Sequence, residues 1–350
     1  MNSSSTPTKG ELIFEELGSA DQSDDQSPSN VAGQLRTIAE KGTLDHLLIE
    51  CSDHAPLVAL ASLFLRQESE TKDCRGDVTR LASVITIIDS VRFLDQLVTS
   101  RGAAAENSPC LTAEQVEFAD VIVLDGEPTA PDFVLSEAIT STLNPRARLF
   151  RWTELTTTQE LLGAGASFDF QGAMEGCGWR ELIRSDDSFR KKSHEVATFV
   201  YRARRPMHPT KFWGLIHGTF PGVIRAKGFF WLATKMDIAG GLSVAGAECQ
   251  YGPAGEWGAA SHERSGESTV AEHLQQDWEE PFGDRRQAIA FIGLRLDSAA
   301  LTKLLDACLL TDSEMAAGED SWSTFADPFP RWAAEKAGHC CHGPECCHHD

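Results

Sequence analysis

The stretch AEQVEFADVIVLDGEP, residues 113–128, decides the fold of the first half of the chain. Its opening residues belong to a predicted helix around 112–119, and an apolar run, DVIVLD, follows at 120–125. A short, near-continuous run of Val, Ile and Leu is typical of a parallel strand that is covered on both faces. The stretch therefore predicts a helix leading into a buried strand that ends at a polar turn.

The same alternation extends outward in both directions. It predicts helices at 31–41 and 56–66 and one before 146, and strands in DHLLIE (45–50), VITIIDS (84–90) and RARLFR (146–151). Strands that alternate with helices predict an α/β domain with a parallel sheet. Residues 18–30, GSADQSDDQSPSN, are small, polar and acidic, which predicts a flexible loop.

A second domain is predicted beyond a polar segment, RSDDSFRKKSHE, at 184–195. Strands are expected in VATFVYRA (196–203), VIRAKGFFWLA (223–233), LSVAGAECQY (242–251) and QAIAFIGLRL (287–296), with Gly240-Gly241 separating the second and third. One helix should open at Pro209 and another should be capped by Asp297 or Ser298. The pattern predicts a mostly antiparallel sheet with helices on one face, an α+β layer.

The composition of the chain disfavours several classes of partner and cellular location. The formal net charge of the 350 residues is −21, which disfavours nucleic acid as a partner. We find neither an apolar leader nor about 18 consecutive apolar residues, so no membrane partner is expected and the cytoplasm is predicted. Six of the ten cysteines are scattered singly, which in a reducing compartment indicates small buried hydrophobic residues rather than a disulfide framework.

The remaining four cysteines lie in the tail HCCHGPECCHHD, residues 339–350. A Gly-Pro turn separates two copies of a Cys-Cys-His triplet, so the copies can face one ion. Thiolates and imidazoles suit Zn(II) best, and Co, Ni or Cu can share such a site. The alternative is a disordered end of accidental composition. The predicted metal ligands are His339, Cys340, Cys341, His342, Cys346, Cys347, His348 and His349.

Motifs of nucleotide and hydrolytic enzymes are missing from these residues. The chain contains no G-x-x-x-x-G-K-[ST] loop, which holds nucleotide phosphates, and the dipeptide Gly-Lys does not occur. We find no G-x-S-x-G elbow, no H-E-x-x-H helix and no G-x-G-x-x-G turn after a strand.

The order of several segments nevertheless resembles the CobW-type GTPases, metallochaperones that include the activators of nitrile hydratase. The resemblance covers roughly residues 11–330 and implies an incomplete P-loop GTPase-like parallel sheet domain, a smaller α+β C-terminal domain and a Cys/His tail. We place these parts at 1–190, 191–332 and 333–350. The segments are GTLDHLLIECSD, VITIIDSVRFLDQL, AEQVEFADVIVLDGEP, LNPRARL, RRPMHPTKFWGLI, GVIRAKGFFWLA, WEEPFGDRRQAIAFIG and LDACLLTDSEM.

The chain departs from the family pattern at three functional positions. The first strand with its phosphate loop is missing, and ELIFEELGSADQ (11–22) stands where the family has Asn-Gly-Cys-x-Cys-Cys. Asp125-Gly126-Glu127-Pro128 stands where the family reads guanine with Asn-Lys-x-Asp. These losses predict a pseudo-GTPase, not an enzyme, for which GTP and Mg(II) are not expected ligands. The incomplete sheet predicts an exposed edge covered by a metalloprotein client, a second copy or the 18–30 loop.

Weaker candidates lie outside the tail. Glu50 stands where the family keeps an ion-organising carboxylate, although acidic residues are common at strand ends. Cys51, Asp53 and His54 follow it, but three ligands without a fourth are more typical of packing and turns. His208 precedes Pro209 in the resembling segment and is either a helix-entry residue or a recognition residue.

Two charged residues have the same ambiguity. Arg225 and Lys227 alternate on one predicted strand, where they form either a positive patch for an acidic partner or ordinary solvated charges, which we favour.

Three functions follow from the sequence. The first is a non-catalytic metallochaperone that holds Zn(II) in its tail. The second is a GTP-dependent metal insertase whose P-loop is supplied elsewhere. The third is a scaffold or regulator that keeps the family's partner surface.

Overall fold

The protein contains two main β-sheets that are held together by a common core. A computed structural model describes residues 13–15, 47–51, 55–65, 80–99, 108–157, 161, 167–185, 189–191, 195–266 and 270–332. The loop predicted at 18–30, the helix predicted at 31–41 and the tail at 333–350 lie outside these residues.

The first sheet is parallel and consists of β3 (Ile85–Asp89), β4 (Val121–Asp125) and β5 (Arg148–Arg151), in that order. The strand predicted at 120–125 is the central one, and Val121 to Leu124 are fully buried. A separate parallel pair joins β1 (Ile13–Glu15) to β2 (Leu47–Ile49). The strand order confirms the predicted parallel α/β arrangement.

The helices of the first half of the chain lie beside these strands, and capping side chains fix where several of them begin and end. They are α1 (Leu57–Ser62), α2 (Ser90–Leu94) with a π turn at Asp95–Thr99, α3 (Pro109–Phe118), α4 (Pro131–Leu143), α5 (Phe170–Glu175) and α6 (Gly178–Arg184). Ser108 caps α3 by accepting a hydrogen bond from the amide of Leu111, and Pro109 occupies the first position. Asn144 ends α4 and donates to the carbonyl oxygens of Val116, Glu117 and Ala119, which fixes α4 against the end of α3.

The second sheet is entirely antiparallel, in the order β10-β9-β8-β11-β7-β6. Its strands are β6 (Phe189–Lys191), β7 (Val196–Ala203), β8 (Val223–Phe230), β9 (Ile238–Ala245), β10 (Glu248–Glu256) and β11 (Gln287–Leu294). Its helices are α7 (Pro209–Ile216), α8 (Gly258–Ser265), α9 (Ser298–Asp306), α10 (Asp312–Ala316) and α11 (Glu319–Trp322). Pro209 opens α7 and the Asp297 side chain caps α9, as predicted.

One strand prediction was wrong. Gly240 and Gly241 do not separate two strands but lie within β9, and LSVAGAECQY is a hairpin rather than one strand. The chain reverses at Gly246, whose φ of 55° is a left-handed value that glycine adopts without strain. Gly240 lies in the sheet because the ring of Phe230 occupies the space that a side chain would need.

The antiparallel sheet buries both of its faces. Phe212 from α7 and Leu305 from α9 pack on one face with Phe230 and Phe291. On the other face, Ile224, Ala290 and Ile292 share a core with α3, α4 and β4 of the first sheet. The two sheets are therefore joined through a shared hydrophobic core rather than through a linker alone.

Aromatic residues fix the chain just before the tail. Trp322 and Phe329 are buried, and the ring of Trp332 lies 6.1 Å from that of Phe329. Lys235 forms a 2.7 Å ion pair with Asp327 and lies 5.0 Å from the Trp332 ring. The root of the tail thus has a fixed position on the second sheet. In the part of the chain described, no helix is long and apolar enough to cross a bilayer.

Candidate functional site

The eight predicted tail ligands lie outside the described residues, as do Asp53 and His54. Within the described ranges, no three His, Cys, Asp or Glu side chains come together as a metal site. The remaining candidates, Glu50, Cys51 and His208, are described and occupy two different environments.

Glu50 and Cys51 follow β2 directly. Glu50 is exposed, whereas Cys51 is half-buried against an apolar cluster around Ala55 and Leu60. Burial, and secondarily the neighbouring Glu50 carboxylate, raises the pKa of the Cys51 thiol. The apolar surroundings and the raised pKa favour a packing role for Cys51 over a ligand role.

His208 is the N-cap residue of α7. Its ring stacks on that of Phe325 at 4.8 Å, and its backbone amide donates to the carbonyl of Cys308. The Nδ1 atom is buried without a hydrogen-bond partner among the described residues. Desolvation, assisted by the positive charge of Lys211, lowers the pKa of His208. His208 therefore enters the helix as a neutral, stacked ring.

The polar turn after β4, residues 125–128, does not carry the side chains of a guanine-binding loop. Gly126 has a φ of 141°, and a side chain there would meet the hydroxyl of Ser90. The carboxylate of Glu127 accepts a hydrogen bond from the Thr129 hydroxyl, and Pro128 carries no polar group. These residues do not supply an amide, a lysine and a free carboxylate, so they do not fit a guanine ring.

The joint between the sheets holds a buried ion-pair cluster. Arg225 of β8 donates from Nε and Nη2 to the two carboxylate oxygens of Glu117 on α3, at 2.8 and 2.9 Å. Lys227 lies 3.4 Å from the Glu114 carboxylate and 3.6 Å from that of Glu117. The expectation that these two cations are solvated or free to bind a partner is wrong, because Arg225 is 1% and Lys227 7% exposed.

Electrostatics favour the charged forms in this cluster. Burial alone would raise the pKa of Glu117, but Arg225 and Lys227 outweigh it and lower that pKa. For Arg225, the opposing carboxylate raises the pKa in spite of burial. Arg225 also donates to the Ser243 hydroxyl at 2.8 Å, so its guanidinium is satisfied on every side.

A second contact across the joint involves Glu248 at the start of β10. Its Oε2 accepts a hydrogen bond from the Ser108 hydroxyl at 2.5 Å and another from the Cys110 amide at 3.0 Å. A carboxylate at the positive end of a helix is stabilising. The N-terminus of α3 is thus completed by a residue of the other sheet.

The segments that carry the family resemblance are tied to each other by Gln287, which is fully buried. Its Oε1 accepts from the amide of Trp231, and its Nε2 donates to the carbonyl oxygens of Trp231 and Arg205. Asp284 accepts from the amides of Gly258 and Ala259 at the start of α8. These roles were not predicted from the sequence. The available signal was the run of three charged residues at 284–286, directly before the apolar strand β11.

Comparison with known families identifies both halves of the chain. Residues 27–150 match the CobW/HypB/UreG nucleotide-binding domain, and residues 196–309 match the cobalamin synthesis protein cobW C-terminal domain. Both matches fall in the predicted order, and the predicted α/β fold class is confirmed.

Two curated relatives are similar over most of this chain. Zinc-regulated GTPase metalloprotein activator 1 of Dictyostelium discoideum is 30% identical over 84% of this chain and 66% of its own length. A zinc chaperone of Mycobacterium tuberculosis is 31% identical over 72% of this chain and 62% of its own. The chain thus spans a little under two thirds of the length of these relatives.

A solved structure, the Zn(II)-bound YjiA GTPase from E. coli, aligns with 83% of this chain and 79% of its own at 16% identity. The TM-score of this alignment is 0.33. The two domain matches and the curated relatives show that this chain belongs to the CobW-type family.

Proposed function

We propose that this chain is a metal-handling protein of zinc or cobalt homeostasis that binds Zn(II) with its tail and holds it for delivery or storage. One observation carries the proposal: eight of the last twelve residues are cysteine or histidine. These are the ligands that Zn(II) takes in fours. The names of the two relatives, a metalloprotein activator and a zinc chaperone, support zinc as the cargo and a metalloprotein as the client.

The cysteines in the described part of the chain support this assignment because they do not compete with the tail. Burial raises the pKa of Cys110 and Cys249 to about 12 and that of Cys177 and Cys308 to about 11. Thiols with such pKa values stay protonated at neutral pH, and only the thiolate binds metal well.

GTP has no part in the proposed capture step. The turn at 125–128 offers no guanine-binding set, and the sequence contains no phosphate-binding loop. Capture by the tail relies on thiolate and imidazole donors, for which protons are the competing ligand. The chain acts, on this proposal, as a pseudo-GTPase whose first domain has kept its fold and its contact with the second.

A second candidate is a GTP-dependent metal insertase to which another polypeptide segment supplies the phosphate loop. It is favoured by the match of residues 27–150 to a nucleotide-binding domain and by the greater length of the relatives. Among the described residues, β2 and β3 are not hydrogen-bonded to each other, and Ile87 on β3 is 62% exposed. An additional parallel strand is the structure that such an edge accepts.

Zinc titration of the full chain, with a nucleotide-binding assay beside it, tests the first candidate. We expect a variant that ends at Gly338 to lose about one or two ions, judged at four ligands per site. A chain of full length with Cys340, Cys341, Cys346 and Cys347 changed to Ser is the matched control and should lose the same ions. A fluorescent GTP analogue with Mg(II) should bind neither form. Unchanged zinc content after truncation refutes tail capture, and tight nucleotide binding refutes the pseudo-GTPase.

A further inference from the structure

The exposed apolar surface of the described residues is concentrated on the first sheet. Its four most exposed large apolar side chains are Ile87, Val91, Val134 and Trp152, each more than half exposed. Three of these stand where the parallel strands end. Val91 is in the first turn of α2, directly after β3, Val134 is near the start of α4, and Trp152 directly follows β5. Apolar side chains that are exposed together, rather than singly, mark an interaction site.

The fold brings these three side chains to one edge of the sheet. Asp89 at the end of β3 lies in register with Asp125 at the end of β4, and β5 is the other neighbour of β4. Neighbouring strands are about 4.8 Å apart, so the three strand ends lie within about 10 Å. The Ser136 hydroxyl of α4 donates to the Ser90 carbonyl of α2 at 2.8 Å, which holds the starts of these helices side by side. One segment of a partner can therefore cover the whole edge.

The same edge is acidic. Asp125, Glu127 and Asp132 are exposed, and their carboxylates have no ion pair within the described part of the chain. Such a surface repels phosphates and anionic lipid, and it also disfavours a second copy of a chain whose net charge is −21. Carboxylates around apolar side chains favour a cationic partner. We call this set the carboxyl-edge surface, and its residues are Val91, Val134, Trp152, Asp125, Glu127 and Asp132.

Trp152 supplies the largest apolar group of this surface. Among the described residues, its indole has no hydrogen bond, ring contact or cation–π contact. Tryptophan is enriched among the side chains that dominate the binding energy of interfaces. A lysine or arginine over the face of an indole is attracted to the ring, so Trp152 and the carboxylates favour the same kind of partner.

We propose that the carboxyl-edge surface docks a cationic segment of another protein, in which lysines or arginines flank apolar side chains. Ligands of open α/β sheets ordinarily bind outside the carboxyl ends of the strands. At that position this chain has carboxylates and exposed apolar groups, which suit a basic polypeptide and not a phosphate. The inference goes beyond zinc capture and is independent of it, because none of the tail residues takes part.

Binding of a synthetic helical peptide of leucine and lysine to the full chain tests the proposal, measured by fluorescence anisotropy of the labelled peptide. We expect the parent to bind it, and Trp152→Ala or the double variant Val91→Ser/Val134→Ser to bind it about fivefold more weakly or worse. Leu304→Ser is the matched control, because Leu304 is also exposed but belongs to α9 of the second sheet, and it should leave the affinity unchanged. A peptide of leucine and glutamate should not bind.

A second pair of variants separates this surface from the overall charge. Asp125→Asn/Glu127→Gln/Asp132→Asn should weaken binding of the lysine peptide about tenfold and reduce its salt dependence. The control Glu272→Gln/Glu319→Gln/Asp320→Asn removes the same charge from exposed positions elsewhere and should change the affinity by less than about twofold.

Three results would overturn cationic docking at this edge. The first is a parent chain that does not bind the lysine peptide. The second is an equal loss of affinity in a variant and its control, which would show attraction to net charge or to exposed apolar groups in general. The third is a parent dimer that Trp152→Ala dissociates in sedimentation, because a second copy would then cover the surface. Tail capture of zinc is tested separately, by the truncation at Gly338.

Discussion

Glu117 and Arg225, which are 108 positions apart in the sequence, form a two-point hydrogen-bonded ion pair inside the joint between the two sheets. Their side chains are 6% and 1% exposed, respectively. A buried charge without its partner is strongly destabilising, so the pair makes the stability of each sheet depend on the presence of the other.

Glu117→Gln should therefore destabilise the chain substantially. It removes the negative charge while keeping the shape, which leaves the buried Arg225 with only the Glu114 carboxylate, 3.9 Å from Nη2, as a counterion. We expect a loss of about 3 kcal/mol in the free energy of unfolding. Urea denaturation measures it. Glu137→Gln breaks a partly exposed pair with Arg151 and should leave the unfolding midpoint unchanged. Equal effects of the two substitutions would contradict the assigned role of the joint.

The lowered pKa of Glu117 also predicts the direction of acid sensitivity. Its carboxylate is ionised more readily in the folded chain than in the unfolded one, so its stabilising contribution is complete above the unfolded pKa, near 4.5. The contribution is lost as the pH falls through the lower folded value. Glu117→Gln should accordingly show a flatter fall of stability below about pH 4.5 than the parent does. Parallel profiles for the two proteins would be evidence against this linkage.

His208 predicts a second pH effect, nearer neutrality. Because its folded pKa lies below the usual 6.5, the unfolded chain takes up the proton first as the pH falls. Stability should decline from about pH 6.5 downward until the folded pKa is passed. His208→Phe, which keeps the stack on Phe325, should reduce this slope in thermal unfolding between pH 7 and 5, whereas His262→Phe should retain it. A parent-like slope in His208→Phe would assign the dependence to other groups.

Gly228 and Gly214 should respond in opposite ways to alanine. A side chain at Gly228 would meet the backbone oxygen of Ala288 in the neighbouring strand β11, so Gly228→Ala should cost about 1–3 kcal/mol. Gly214 is inside α7 with nothing within 4 Å of an added methyl group, and Gly214→Ala should stabilise by about 0.5–1 kcal/mol. Urea midpoints that shift in the same direction would show that close strand approach is not what requires Gly228.

Asp284→Asn tests whether the resembling segment WEEPFGDRRQ is structural. The carboxylate accepts from two amides at the start of α8, and its charge favours that helix end. The substitution should lower the free energy of unfolding by about 1 kcal/mol and leave zinc stoichiometry intact. A change in bound zinc without a change in stability would instead assign Asp284 to the metal.

Local signals were sufficient for most elements of this fold. The apolar run at 121–125 predicts strand β4, and the proline at 209 predicts the start of α7. Both predictions are confirmed. Glycine was the weaker guide. Gly240 and Gly241 were predicted to separate strands, but both lie within β9, where Gly240 leaves room for the ring of Phe230. The glycine at the turn is Gly246, which stands in an apolar stretch of sequence.

The joint could not be predicted from one strand alone. Alternation in VIRAKGFF predicts that Arg225 and Lys227 share a face, but not that an acidic helix covers that face. Their partners, Glu114 and Glu117, lie more than 100 positions earlier, and a charge is classed as solvated unless its counterion is known. Long-range pairing of this kind is a property of the folded chain.

The carboxylate of Glu248 has a consequence for how such proteins can be recombined. An amide group at the start of α3, in the first domain, donates a hydrogen bond to this carboxylate of the second domain. The carboxylate lies near the tip of a hairpin, 138 positions away in the sequence. In a chimera that joins this first domain to a foreign second domain, the amide groups at the start of α3 would lack this acceptor. The acceptor is restored only if the foreign domain places a carboxylate at the same position. The two halves are thus complementary at this contact, and an exchange of one half requires a matching carboxylate in the other.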